Sequence, residues 1–272
     1  MDGDPLLLVA QGAREFAMNA EEHAAAASPA ATGPGGSHFE GQVGAHYLLS
    51  MLVGAEPRGL PGTVIERVEF QRAGEGKPLD DVIVHARDQA GRPAEMEIQV
   101  KRGITFAPAD PVFKAVVEQI AEASRKAGFW EARHELAIAT AKTSRKIDGA
   151  YQDVLKWARE LGSHETFMAR IGRKGAASDD MRSFVQTFRE HLKDAGCPHD
   201  DKDLWRLLRR VRILPLDYAS PGSASEELAK ERAVRALHPD EAAKVASLWT
   251  HLNTTNLATV ALQSSLADKP VY

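Results

Sequence analysis

The chain has 272 residues, of which 43% are hydrophobic and 26% charged, and its formal net charge is −4. These values are ordinary for a globular protein with a sizeable core, and they argue against one that coats nucleic acid through bulk positive charge. No apolar run approaches the roughly 20 residues that span a bilayer, and acids precede the apolar segment 6–10, where a signal peptide carries basic residues. Cys197 is the single cysteine, which excludes an intrachain disulfide. We therefore expect a cytoplasmic protein without a membrane partner.

The first 37 residues are predicted to form a flexible arm and linker. An Ala-rich segment, 21–31, is followed by the Gly/Pro cluster 33–36, which is typical of linkers. From residue 38 to 52, apolar residues recur at the spacing of an amphipathic helix. These residues are Phe39, Val43, Tyr47, Leu48 and Met51.

Three strands and a helical crossover are predicted next. The segments 63–72, about 80–87 and 94–102 have strand-like composition or alternation, and 88–93 is typical of a hairpin loop. A helix is then expected from Pro111, a buried strand at 134–141 and a long helix at 143–161. An antiparallel hairpin followed by a helical crossover into another strand predicts an α/β fold, with a mixed sheet flanked by helices over residues 38–162.

The remainder, residues 163–272, is predicted to be a helical extension that ends in the start of a linker. Helices are expected at 164–171, 178–195, 201–211, about 223–237 and 239–262. The apolar run from Ile213 to Tyr218 is the exception. It contains Pro215, so we expect a short strand at the edge of the sheet, where a missing N–H is tolerated.

The predicted hairpin carries the residues that point to chemistry. Asp81 stands at the head of the second strand, and Gln99 and Lys101 share one face of the third because side chains alternate along a strand. Hydrolysis of a phosphodiester requires an activated water and stabilisation of the charge on phosphate, and Mg²⁺ with oxygen ligands supplies both. We expect Asp81 and the amide oxygen of Gln99 to bind the metal, while Lys101 orients the water or stabilises the phosphate.

Further ligands are expected because Gln99 is neutral. The backbone carbonyl of Val100 is one candidate, and Glu97, on the same face as Gln99, is another. Glu40 on the first helix is the third. Either Asp80 or Asp81 could face the metal, and we favour Asp81 because it directly precedes the apolar run of the strand.

The acid-x-Lys pattern is weak evidence by itself. It also occurs at 75–77, in a predicted turn, and at 200–202, at a predicted helix start. The alternative is that 97–101 is an ordinary exposed face of a hairpin with solvated charges. What favours a site is the combination of the strand pattern, the acid before it and the acidic helix upstream.

Basic residues near the hairpin could contact phosphate groups. They are Arg102, Lys114, Lys142, Arg145 and Lys146, and the last three lie at a predicted helix start, which also favours anions. A denser group comprises Arg206, Arg209, Arg210 and Arg212. It could bind DNA or pair with the acids at 200–203.

The order of elements, together with Glu40-Gly41-Gln42, Asp80-Asp81 and Glu97-Ile98-Gln99-Val100-Lys101-Arg102, resembles the PD-(D/E)xK nuclease superfamily. Within it, the chain looks like the dsDNA endonuclease domain of bacterial anti-phage effectors, found in CD-NTase-associated nucleases and at the N-terminus of STAND NTPases of the AVAST type.

This resemblance implies Mg²⁺-dependent cleavage of double-stranded DNA, with Mn²⁺ as a substitute. It further implies a homo-oligomer activated by an NTPase or sensor region outside this chain. A catalytically silent DNA-binding or oligomerisation module on the same scaffold is the alternative that Gln99 keeps open, and an RNA or single-strand nuclease of the same fold is a further one.

Overall fold

A mixed β-sheet organises the fold, which a computed structural model describes over residues 34–70, 77–141, 143–218, 220–254 and 262–263. The strands are β1 (Thr63–Phe70), β2 (Val82–Asp88), β3 (Pro93–Val100), β4 (Arg133–Thr140), β5 (Val211–Pro215) and the two-residue β6 (Leu262–Gln263). They lie in the order β5-β4-β3-β2-β1-β6. Strands β1 to β3 form an antiparallel meander, while β4 and β5 run parallel to β3. The predicted α/β class with a mixed sheet is confirmed.

Helices cover both faces of this sheet. They are α1 (Pro34–Leu52), α2 (Pro111–Ser124), α3 (Tyr151–Glu160), α4 (His164–Gly172), α5 (Asp179–Asp194), α6 (Asp201–Leu208), α7 (Ala224–Ala236) and α8 (Val245–Thr254). A π-helical turn, Lys146–Ala150, leads into α3, and a 3₁₀ turn, Pro239–Lys244, precedes α8. None of the described helices combines the length and apolar character that a bilayer crossing requires.

The alternation along β3 divides the interior into two hydrophobic cores. Met96, Ile98 and Val100 point to one face, where they pack in a core with residues of α1, α7 and α8. Residues 97 and 99 point to the other face, since they pair in register with Leu136 and Ile138 of β4. That second core is built from α2 to α6. Residues of 163–272 therefore share both cores with residues of 38–162.

The element boundaries differ from the sequence predictions at several places. Helix α1 begins at Pro34, so residues 34–36 belong to its first turn instead of a linker; proline is accepted there because the first N–H groups of a helix need no partner within it. The predicted helix 143–161 starts as a π turn, and α6 ends at Leu208 because β5 begins at Val211. The helix predicted at 239–262 is confirmed over residues 245–254, but a 3₁₀ turn precedes α8 and residues 262–263 are a strand. The arm predicted for residues 1–33 lies outside the described residues.

Strand β5 lies at the sheet edge, as Pro215 predicts, and its last residue is that proline. The edge position removes the need for a ladder hydrogen bond from residue 215. The expected edge strand is therefore confirmed, although it starts two residues before Ile213.

Gly41 allows α1 and α8 to approach closely. A Cβ atom at this position would lie 2.4 Å from the backbone carbonyl oxygen of Asn253. We expect Gly41→Ala to lower the free energy of unfolding by about 2 kcal/mol, because the backbone of α8 must move to admit the methyl group. Urea unfolding checks this. Gly172→Ala is the matched control, since a Cβ there meets open space, and an equal loss in both variants would contradict the explanation.

Candidate active site

Asp81 joins the start of β2 to the end of β3. Its Oδ2 accepts a hydrogen bond of 2.6 Å from the backbone N–H of Val100 and one of 2.5 Å from Nε2 of Gln99. The antiparallel register makes this contact possible. Val82, the first residue of β2, pairs with Ile98, so Asp81 lies opposite Gln99. Asp81, which the sequence favours over Asp80, thus contacts Gln99 directly.

The surroundings of Asp81 oppose its ionisation. Burial raises the pKa of its carboxyl group to about 7, and the negative charges of Glu40 and Asp80 act in the same direction. Lys101 and the Val100 N–H lower this pKa but do not outweigh the burial. Three acids and one lysine thus act on one another at this end of the sheet.

The polar atoms of this site fit a hard cation. Gln99 is 2% exposed, and its Oε1 has no hydrogen-bond partner among the described residues. A buried carbonyl oxygen without a donor is costly, and a cation would satisfy it. Mg²⁺ prefers oxygen ligands, so the Asp81 carboxylate and Gln99 Oε1 form a suitable pair, with Glu40 as a further carboxylate. The role expected for the Val100 carbonyl stays a prediction.

Glu97 lies in a different group of charges from Asp81. We define the Glu97 cluster as Lys77, Glu95, Glu97, Lys126 and His134. Oε1 of Glu97 lies 3.2 Å from the Lys77 ammonium, 3.5 Å from that of Lys126 and 3.1 Å from Nε2 of His134. Lys77 also binds Glu95. The contacts described for Glu97 are therefore with this cluster and not with Asp81.

The Glu97 cluster keeps its carboxylates ionised. Burial would raise the pKa of Glu97, but hydrogen bonding to His134 and the charge of Lys77 hold it below its ordinary value. For Glu95, hydrogen bonds from His85 and Lys77 outweigh burial and lower the pKa to about 2. Ligand atoms of Glu95, Glu97 and His134 lie within 4.8 Å of one another, so this set could also hold a metal ion. Such an ion would compete with the Lys77 ammonium for both carboxylates.

Sequence reasoning missed Lys77, Lys126 and His134 as partners of Glu97. They come from a loop, a turn and the start of β4, so no short spacing connects them. A usable signal did exist. Two acids two residues apart, Glu95 and Glu97, occupy one face of a strand, and burial of that face would require cations nearby.

The basic residues predicted to contact phosphate differ in their surroundings. Lys114 and Lys146 form surface ion pairs with Asp194 and Asp180, at 3.0 and 2.8 Å. Arg102 and Arg145 are exposed. Lys142 lies outside the described residues.

The arginines of 206–212 pack against the protein and not against the acids of 200–203. The guanidinium of Arg206 stacks on Trp130, and that of Arg209 lies over Trp205. Arg212 forms an ion pair with Glu135 on the neighbouring strand. Stacking and pairing of this kind fix these side chains to the fold.

No protein-family model, no curated protein and no solved structure matches this chain.

We expect Asp81→Asn to stabilise the metal-free protein more at high pH than at low pH. The folded-state pKa of about 7 lies above the ordinary value of 3.8. Stability from the protonated carboxyl is therefore fully present below about pH 4 and is lost as the pH rises through about 7. The excess stability of the variant should grow by about 3 kcal/mol between about pH 5 and pH 8. Urea unfolding in EDTA at both pH values measures this, and a constant or shrinking margin would contradict it.

We expect Glu97→Gln to destabilise the fold, because Lys77 and Lys126 lose a charged partner inside the protein. The expected loss in the free energy of unfolding is about 2 kcal/mol. The control is Glu118→Gln, which changes an exposed glutamate of α2. Equal stability of both variants and the wild type would show that the cluster contributes nothing.

Proposed function

We propose that this chain is a metal-dependent endonuclease that cleaves double-stranded DNA. The observation that supports it most is the unpartnered, buried Oε1 of Gln99 beside the carboxylate of Asp81. A carboxylate and an amide oxygen without a partner among the described residues suit Mg²⁺, and Mn²⁺ has similar preferences. The proposal assigns metal binding to Asp81, Gln99 and Glu40.

Lys101 supplies the positive charge that the chemistry requires. It follows β3 directly, and its charge acts on the Asp81 carboxyl group. A lysine in this position can orient the attacking water or stabilise charge developing on the phosphate. When bound, the metal would supply Lewis-acid activation of that phosphate, while Arg102 and Arg145 are exposed and able to contact the DNA backbone.

The biological setting is proposed from the sequence resemblance. In this proposed setting, the nuclease is the effector of a bacterial anti-phage protein and acts in the cytoplasm. It is activated when a sensor region brings several copies together. The raised pKa of Asp81 is compatible with low basal activity, because a protonated carboxyl group binds metal poorly. The neutral side chain of Gln99 favours the alternative of a catalytically silent module.

We expect nicking of supercoiled plasmid DNA in Mg²⁺ or Mn²⁺ when the chain is fused to an oligomerising coiled coil. Lys101→Met should reduce the rate roughly 100-fold, as for the loss of one group that stabilises transition-state charge. Asp81→Asn should abolish metal-dependent nicking, because it removes the carboxylate that the proposal assigns to the metal. The matched control, Lys156→Ala, removes an exposed lysine that pairs with Glu160 and should cut at the wild-type rate.

A metal-binding measurement separates the nuclease from the silent module. Mg²⁺ should raise the melting temperature of the wild type but not of Asp81→Asn. Metal binding without cleavage in the fused protein would favour the silent module. Cleavage that persists unchanged in both Lys101→Met and Asp81→Asn would overturn the site.

A further inference from the structure

The outer edge of β5 is closed by side chains. Arg159 donates to the carbonyl oxygen of Val211 at 3.2 Å, and Gln152 donates to that of Ile213 at 3.1 Å. Arg58 donates to the carbonyl oxygen of Pro215 at 2.5 Å. These bonds occupy the edge carbonyl groups that another strand would use. They also hold two guanidinium groups beside the edge strand.

Two more arginines lie in the same region. Arg212 pairs with Glu135 through two bonds of 3.0 Å. Arg232 donates to the hydroxyl group of Ser50 at 2.7 Å and lies 3.4 Å from Nε2 of His46. In the part of the chain that the structure describes, Glu135 is the carboxylate that forms an ion pair with an arginine of this group. The other three guanidinium groups make their hydrogen bonds to neutral atoms.

The charge in this region is therefore in excess. The hydrogen bonds described for Arg58 and Arg159 each use one terminal nitrogen, which leaves further N–H donors on each guanidinium. Burial and the neighbouring charge of Arg212 lower the pKa of Arg159 to about 10, although Glu135 and Glu160 act in the opposite direction. An anion among these groups would relieve the repulsion and use the remaining donors.

A cleft of about 600 Å³ opens between these arginines. Its polar lining includes Arg58, Arg159, Arg212 and Arg232. The side chains of Leu155 and Leu214 form part of its apolar wall. This volume is in the range of sites that hold small organic ligands. Glu56 carries the one carboxylate among the described lining residues, and it is exposed.

We propose that this arginine cleft binds a small phosphorylated molecule, with its phosphate on the guanidinium groups and its apolar part against the leucine side chains. Arginine recognises phosphate through paired N–H donors, which the four side chains supply from several directions. The same phosphate chemistry occurs in the backbone of DNA, and the experiment distinguishes the two sources.

The test is calorimetric titration of the full chain with inorganic pyrophosphate in EDTA, so that the result does not depend on the metal site at Asp81. We expect saturable binding, weakened about tenfold by Arg58→Gln and by Arg159→Gln, as for the loss of a charge-assisted contact. Arg173→Gln is the matched control, because Arg173 is exposed and does not line the cleft. Binding that is absent, or equal in all four proteins, overturns the proposal.

Two further titrations complete the test. Glu56→Gln should tighten pyrophosphate binding by about threefold, since it removes a negative charge from the rim, and this variant covers the case in which Arg159→Gln does not fold. A short DNA duplex is titrated against the same proteins. Loss of duplex binding in Arg58→Gln to the same extent as loss of pyrophosphate binding would assign the cleft to DNA and overturn the small-molecule proposal.

Discussion

The burial of polar side chains on the central strand β3 is the constraint on which the rest of the structure depends. Glu97 is fully buried and Gln99 nearly so, on a strand whose opposite face carries Met96, Ile98 and Val100 into a hydrophobic core. A one-residue shift in register would place the apolar set among the charges, so the alternation fixes the pairing of β3 with both neighbours. Each buried polar group then requires a partner, which the loops and helices around the second face must supply.

The two polar positions are satisfied in different ways. Glu97 is surrounded by Lys77, Lys126 and His134, so its charge is balanced within the fold, although its Oε2 also has no hydrogen-bond partner among the described residues. Gln99 binds Asp81 through its amide nitrogen, while its oxygen remains without a partner among the described residues, next to an acid that burial keeps partly protonated near neutral pH. A cluster whose charges balance one another stabilises a fold, whereas a cluster with excess acidic groups and an unpartnered oxygen can bind a cation. This difference in charge makes the Asp81 site the stronger candidate for binding a cation.

Much of this arrangement could be predicted from the sequence because it depends on local patterns. Alternation identified the strands, and the short hairpin brought Asp81 opposite Gln99. Contacts between distant segments could not be predicted in the same way. His134 reaches Glu97 only because β4 pairs in parallel with β3, and the arginines of the β5 edge converge from α3, α7 and a loop. The π turn before α3 likewise has no signal in residue spacing.

The central claim is that a divalent cation binds between Asp81 and Gln99, and the most direct test is a crystal structure with Mn²⁺ and its anomalous scattering map. The account predicts an anomalous peak about 2 Å from both the Asp81 carboxylate and Oε1 of Gln99. A peak confined to Glu95, Glu97 and His134, or no peak in crystals that contain saturating Mn²⁺, would contradict it.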